Sequence, residues 1–195
     1  MLNIVLFGPP GAGKGTQAER IKDHYSLVHL STGDIFRFNM KKSTKLGLLA
    51  KSYIDKGELV PDEVTIQMLE SEVIKYPESN GFIFDGFPRN LNQAQKLNEI
   101  IHDKNIHLDF VFHIDVEEEI LTSRIQNRAK QEKITRKDDT IAVLIERLKV
   151  YNRETKPVLE YYSKQNILNV IDGMGTIEEV SSKIYMIIKR DFKVD

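Results

Sequence analysis

Cysteine is absent from this 195-residue chain. That excludes disulfides and thiolate metal sites, and it is compatible with a reducing, cytoplasmic location. Charge of one sign is missing too. The 28 basic and 29 acidic residues leave a net charge of −1, so no strong field draws the chain to nucleic acid or to an anionic membrane. No apolar run approaches membrane-spanning length. Met1 leads straight into a strand-like run, so no signal peptide is expected. Internal repeats and low-complexity tracts are also lacking. The five histidines (24, 29, 102, 107 and 113) show no metal-ligand pattern and read as structural or solvated. What is present is a hydrophobic content of 41%, enough for one sizeable core, in a length that fits one domain.

The most informative stretch is Gly8-Pro9-Pro10-Gly11-Ala12-Gly13-Lys14-Gly15-Thr16. It follows the apolar run Leu2 to Phe7, which reads as a buried strand, and precedes a helical pattern carried by Ala18, Ile21 and Tyr25. Strand, glycine-rich loop and helix together make a phosphate cradle. The glycines let backbone N–H groups wrap around phosphate oxygens, and the helix start adds donors and a positive dipole end. Lys14 supplies a mobile charge for the outer phosphates, so the stretch reads as a nucleoside-triphosphate site. In the strict P-loop a Ser or Thr follows Gly-Lys. Here Gly15 intervenes and Thr16 carries the hydroxyl, which points to a subgroup. A dinucleotide-binding reading of Gly13-x-Gly15-x-x-Ala18 fails, because it starts six residues past the strand and has no use for Lys14.

Five segments read as strands: 2–7, 27–30, 82–84, 110–114 and 167–171. Helical patterns separate them, and tight hairpins are missing. That argues an α/β fold with a parallel sheet covered on both faces, whose ligands gather at the carboxyl ends of the strands. Polar signals fall there: Ser31-Thr32-Gly33-Asp34 after the second strand and Asp85-Gly86-Phe87-Pro88-Arg89 after the third. Residues 32–80 are too long for one crossover and read as a small helical lobe, with helices near Gly33, from Leu46 to Lys56, and from Pro61-Asp62-Glu63. Asn127 to Thr135 is a polar stretch joining two helices. Thr176 to Arg190 reads as a final helix with Ile177, Val180, Ile184 and Ile187/Ile188 on one face.

Asp85 ends an apolar strand, the place where P-loop proteins keep an acid for Mg²⁺ or its waters. Arg89 heads the helix that follows. Arg124 and Arg128 lie four apart on one helix, where like charges repel by roughly 0.2–0.5 kcal/mol unless an anion sits between them. Arg147 flanks the apolar stripe Ile141, Leu144, Ile145, Leu148 and is expected along the core's rim. With Arg37 and Arg136, these cations suggest more phosphate than one triphosphate needs.

Together the altered P-loop, Ser31-Thr32-Gly33-Asp34 with Arg37, Asp85-Gly86-Phe87-Pro88-Arg89 and Thr135-Arg136-Lys137-Asp138-Asp139 resemble the nucleoside monophosphate kinase family, in its adenylate kinase branch. The resemblance spans nearly the whole chain. It implies a P-loop three-layer α/β/α fold with a five-stranded parallel sheet. The core would be 1–31, 61–126 and 136–195, with a monophosphate-binding lobe over 32–60 and a short lid over 127–135. It implies reversible transfer of the ATP γ-phosphoryl group to AMP by a monomer in the cytoplasm. Gly11, Ala12, Gly13, Lys14, Gly15 and Thr16 would hold ATP, with Arg128 bordering its side and Gly175, in Asp172-Gly173-Met174-Gly175, against its base. Arg37 and Arg89 would bind the AMP phosphate, and Lys14, Arg89, Arg124, Arg136 and Arg147 would surround the transferring group. Thr32, Glu58, Leu59, Val60, Gly86 and Gln93 would line the AMP site. Thr32 and Gln93 match members that take AMP, whereas relatives that prefer UMP and CMP carry Ala and Asn there. Mg²⁺ is the implied cofactor, held through water by Asp85, with Thr16 a second candidate. With only seven residues between Arg128 and Arg136 and no cysteine, neither a long lid nor a zinc site is expected. The rival readings are a UMP/CMP-type kinase and a P-loop ATPase or switch.

Overall fold

The computed structural model describes residues 1–103, 106–131 and 140–192, with side chains for all of these except 103 and 125–131. Strands β1 (Ile4–Phe7), β2 (Val28–Ser31), β3 (Phe82–Asp85), β4 (Phe110–Asp115) and β5 (Leu168–Asp172) form one parallel sheet in the order β2-β3-β1-β4-β5. The fold is therefore the expected P-loop α/β architecture. The chain leaves β1 toward one edge of the sheet and later crosses from β3 to β4 on the other side. That reversal makes the carboxyl end of β1 the switch point where such sheets bind ligands, and the glycine-rich loop lies there.

Alternation along the strands divides the core. Val5, Phe7, Phe82, Phe84 and Val111 face one layer, packed with Leu69 and Val73 of α4 (Asp62–Val73), Leu97 of α5 (Leu91–Asp103) and Val158 and Tyr162 of α8 (Lys156–Ser163). Ile4, Leu6, Ile83, Phe110 and Phe112 face the other, against Ala18 and Ile21 of α1 (Lys14–Tyr25) and Val180, Ile184 and Ile188 of α9 (Ile177–Asp191). Strands buried on both faces are what a parallel sheet requires. The first strand starts two residues later than its apolar run, because Asn3 is spent as a clamp. Its side chain donates to the His107 carbonyl (2.8 Å) and accepts from Phe82 N–H (3.1 Å).

Helices α2 (Thr32–Lys41) and α3 (Lys45–Ile54) form the lobe. Phe36, Ala50, Val60 and Met68 make its own small core, so α4 faces the lobe through Met68 and the main core through Leu69. Two expectations need correcting. Helix α6 (Glu118–Gln131) runs through 127–131, part of the stretch read as a polar connection. Ala129, Lys130 and Gln131 are strong helix formers and need no apolar stripe to extend it. The remainder, 132–135, lies outside the described residues. On α7 (Ile141–Val150), Leu144 is buried, but Ile141 and Ile145 are 55% and 50% exposed, so the stripe is not a core face.

Candidate active site

Around the carboxyl ends of β1, β2 and β3 opens a cleft of about 650 Å³, and beside it a smaller pocket of about 50 Å³. The glycine-rich loop floors the cleft. Gly13 sits at φ +92°, a conformation side chains resist, and it caps α1, so the helix's first N–H groups point into the cleft. Gly11, Ala12, Gly15 and Thr16 line it with Gly13. Lys14 Nζ donates to the carbonyls of Gly8 (2.7 Å) and Pro9 (3.1 Å), which holds the ammonium over its own loop.

On the opposite wall Asp85 ends β3, nearly buried, with Oδ2 3.9 Å from where a Cβ on Gly15 would stand. A side chain in place of Gly15 would crowd the space between carboxylate and loop. His29 of β2, read from sequence as structural or solvated, touches this carboxylate: its Nε2 lies 3.4 Å from Asp85 Oδ2 and its Nδ1 3.0 Å from Glu19 Oε1. Burial alone would lower the His29 pKa, but its bonds to Asp85 and Glu19 raise it above the ordinary value. On β4 the opposite happens to His113. Burial lowers its pKa, with Lys156 and Lys14 adding to the effect against Asp115. Burial also pushes the Tyr151 hydroxyl up, so Tyr151 keeps its proton, and its oxygen lies in hydrogen-bond contact with His113 Nε2 at 3.0 Å.

The arginines converge from four elements. Arg37 of α2 pairs with Asp34 at 2.6 Å. Arg89 donates from Nε to the Gly86 carbonyl (2.7 Å), and Arg124 of α6 donates from Nη2 to the Gly173 carbonyl (2.8 Å). Arg147 reaches over from α7. All four line the cleft, and Arg37, Arg89 and Arg147 line the smaller pocket as well. Gly175 also lines the cleft, and Gly173, Thr176 and Ile177 join it there. Arg136 lies outside the described residues and Arg128 outside the described side chains.

The smaller pocket gathers Thr32, Glu58, Leu59, Val60, Gly86 and Gln93. Thr32 Oγ1 donates to the Gly86 carbonyl at 2.8 Å. Gly86 has φ +75°, and a Cβ there would sit 2.9 Å from both Thr32 Oγ1 and Arg89 Nη2, so no larger residue fits between them.

This arrangement matches a known family model, described as adenylate kinase, over residues 6–167. The chain belongs to the adenylate kinase family. Among its relatives, the adenylate kinase of Flavobacterium psychrophilum is 49% identical over 189 residues, covering 96% of this chain and 98% of the relative. That of Flavobacterium johnsoniae is 46% identical over 188 residues, covering 96% and 98%. That of a Thermoanaerobacter species is 43% identical over 208 residues, covering 94% and 96%. The last alignment is longer than the 195 residues of this chain, so that adenylate kinase carries residues this member of the family lacks.

Sequence reading missed three contributors. Asp62 reads in sequence as a helix-opening acid, yet it binds Gln93 (2.6 Å), Asn90 (2.9 Å) and Asn92 (2.7 Å). Tyr151 and Thr155 line the cleft from a π-helical turn, Tyr151–Thr155, that follows α7. Thr155 Oγ1 donates to the Arg89 carbonyl at 2.8 Å. Helical periodicity gives no signal for a turn of wider register.

Proposed function

We propose that this chain carries out the reaction of its family, reversible transfer of the γ-phosphoryl group of ATP to AMP, giving two ADP. ATP occupies the larger cleft, with its phosphates on the Gly11–Thr16 loop, and AMP occupies the pocket of Thr32 and Gln93. One observation carries the assignment of sites: Arg37, Arg89 and Arg147 line both cavities, so two phosphate-bearing ligands meet at the same guanidinium groups.

The chemistry asks for positioning more than for proton transfer. The AMP phosphate is already a nucleophile at neutral pH, so no general base is required. The γ-phosphoryl passes in line between two oxygens while charge spreads over its equatorial oxygens. Lys14 and Arg124 meet that charge from the donor side, Arg89 and Arg147 from the acceptor side. Contacts to carbonyls hold Lys14, Arg89 and Arg124 aimed before substrate arrives, which is where fixed cations gain over water. The single carboxylate of Asp85 facing the loop suits Mg²⁺, which takes one or two carboxylates plus phosphate and water. Asp85 would hold that ion, with Thr16 of the same cleft a second candidate, and the ion supplies neutralisation of the β- and γ-phosphate charge.

A coupled assay with ATP and each nucleoside monophosphate in turn tests the reading. AMP is expected to have the highest kcat/KM. Equal values for UMP or CMP would make this a kinase of the UMP/CMP type, and ATP hydrolysis indifferent to any acceptor would make it an ATPase.

A further inference from the structure

The Gln93 side chain is 1% exposed at the wall of the smaller pocket, and both ends of its amide are engaged. Its Oε1 accepts from Arg89 N–H at 2.8 Å, and its Nε2 donates to Asp62 Oδ1 at 2.6 Å. Asp62 takes two further amides, Asn90 on Oδ1 (2.9 Å) and Asn92 on Oδ2 (2.7 Å). Burial alone would raise the Asp62 pKa, but the three amide donors bring it below the ordinary value, so it is ionised near neutrality. A carboxylate accepts only, and a backbone N–H donates only. Flipping the Gln93 amide would set oxygen against carboxylate at one end and N–H against N–H at the other. The orientation of this amide is therefore fixed by chemistry at both ends.

We infer that Asp62 is a positioning residue for acceptor-base selectivity: it locks the donor–acceptor order of Gln93 so that the pocket accepts a 6-amino purine and rejects a 6-oxo purine. The locked amide has one N–H and one lone-pair direction beyond these bonds, in a set order. A 6-amino purine offers a donor at C6 beside a ring-nitrogen acceptor. A 6-oxo purine offers an acceptor at C6 and carries a proton on N1. Only one of these can match an amide that cannot turn, whereas a mobile glutamine matches either by flipping. Asp62 opens α4 directly after the Glu58–Val60 wall, so the lock also ties that wall to the loop bearing Arg89.

The inference rests on the proposed AMP site, and the test uses IMP, which differs from AMP at the C6 edge. The ratio of kcat/KM for AMP to that for IMP is measured in the wild type, Asp62→Ala, Gln93→Ala and the double variant. Asp62→Ala keeps the Arg89 N–H as one jaw of the lock, so the ratio is expected to fall by roughly tenfold rather than to unity. In the Gln93→Ala background the same change is expected to leave the ratio where it was, since residues acting through one another are not additive. An unchanged ratio in Asp62→Ala, or an equal fall in both backgrounds, overturns the lock and leaves Asp62 a structural residue. If Asp62→Ala does not fold, Asp62→Asn replaces it, because an amide at 62 can present either group. Adding Asn92→Asp returns a carboxylate to the cluster, turns the Asn oxygen back toward Gln93 and is expected to restore the ratio; no recovery overturns the lock. A wild type that does not phosphorylate AMP refutes the assigned function instead, so the two failures are distinguishable.

Discussion

Arg89 is bound through Nε to one carbonyl of its own loop, and its own carbonyl is bound by Thr155, so its guanidinium stands where two cavities meet. Lysine at this position has a charge of the same sign but no planar fork. It also cannot donate to the Gly86 carbonyl and grip a phosphate at two points at once. Arg89→Lys is expected to lower kcat/KM for AMP by roughly 10²–10³, the usual loss of one preorganised donor. Its melting temperature should stay close to wild type, because the side chain fills no core. Wild-type kcat/KM in this variant would remove Arg89 from the site. The position of Arg89 at the ligand-binding edge was legible in the sequence, four residues past the acid that ends β3, while its phosphate role was implied by the resemblance to the kinase family. The role of Asp62 was not legible. A single acid in the first turn of a helix has an ordinary explanation as a dipole partner, and its bond to Gln93, 31 residues away, is a product of tertiary folding.

At the scale of elements, alternation of strands and helices exposed the parallel sheet, because a strand buried on both faces must be apolar throughout. The π turn after α7 left no such trace, and it has consequences. Its register brings Tyr151 to His113 and Thr155 to the Arg89 carbonyl. Thr155→Val keeps the shape and removes one hydrogen bond, worth about 0.5–1.5 kcal/mol. The expected result is a two- to tenfold lower kcat/KM for AMP with the KM for ATP unchanged, a split read by varying each substrate separately. His113 makes a second prediction. Its pKa in the fold lies below its ordinary 6.5, so the unfolded chain takes up its proton first. The contribution of the neutral, Tyr151-bonded ring is thus complete above that value and lost as the pH falls toward the lowered native pKa. The stability difference between wild type and His113→Gln should narrow in denaturant unfolding as the pH falls from neutrality through 6.5 and below. A difference that is constant or widens on acidification would contradict the burial-driven shift.

Across the whole molecule, the two cavities of the proposed sites differ widely in size. The larger, at about 650 Å³, is of ligand size, while the smaller, at about 50 Å³, has room for roughly four waters. If AMP binds in the smaller pocket, as proposed, its walls have to separate to admit it. One wall is the β3–α5 loop, anchored by Thr155 and Asp62; the other is the lobe of α2 and α3. On the proposed assignment of sites, the lobe is the part expected to move. Phe36, Ala50 and Val60 cluster with Met68 of α4 apart from the two layers on the sheet, and Gly57 lets the chain turn at φ +80° beside Arg147 and Val143 of α7. A ligand shifts such an equilibrium only by its preference for one arrangement. A bisubstrate analogue joining adenosine to ATP through a phosphate chain supplies that preference, because its phosphates meet Arg37, Arg89 and Arg147 together only when lobe and core close on them. Backbone amides of residues 32–60 should therefore gain hydrogen-exchange protection with the analogue, while β1, paired on both sides and buried, should show none. Equal protection of 32–60 with and without saturating analogue would mean that the lobe is fixed and that AMP reaches the arginines by another route.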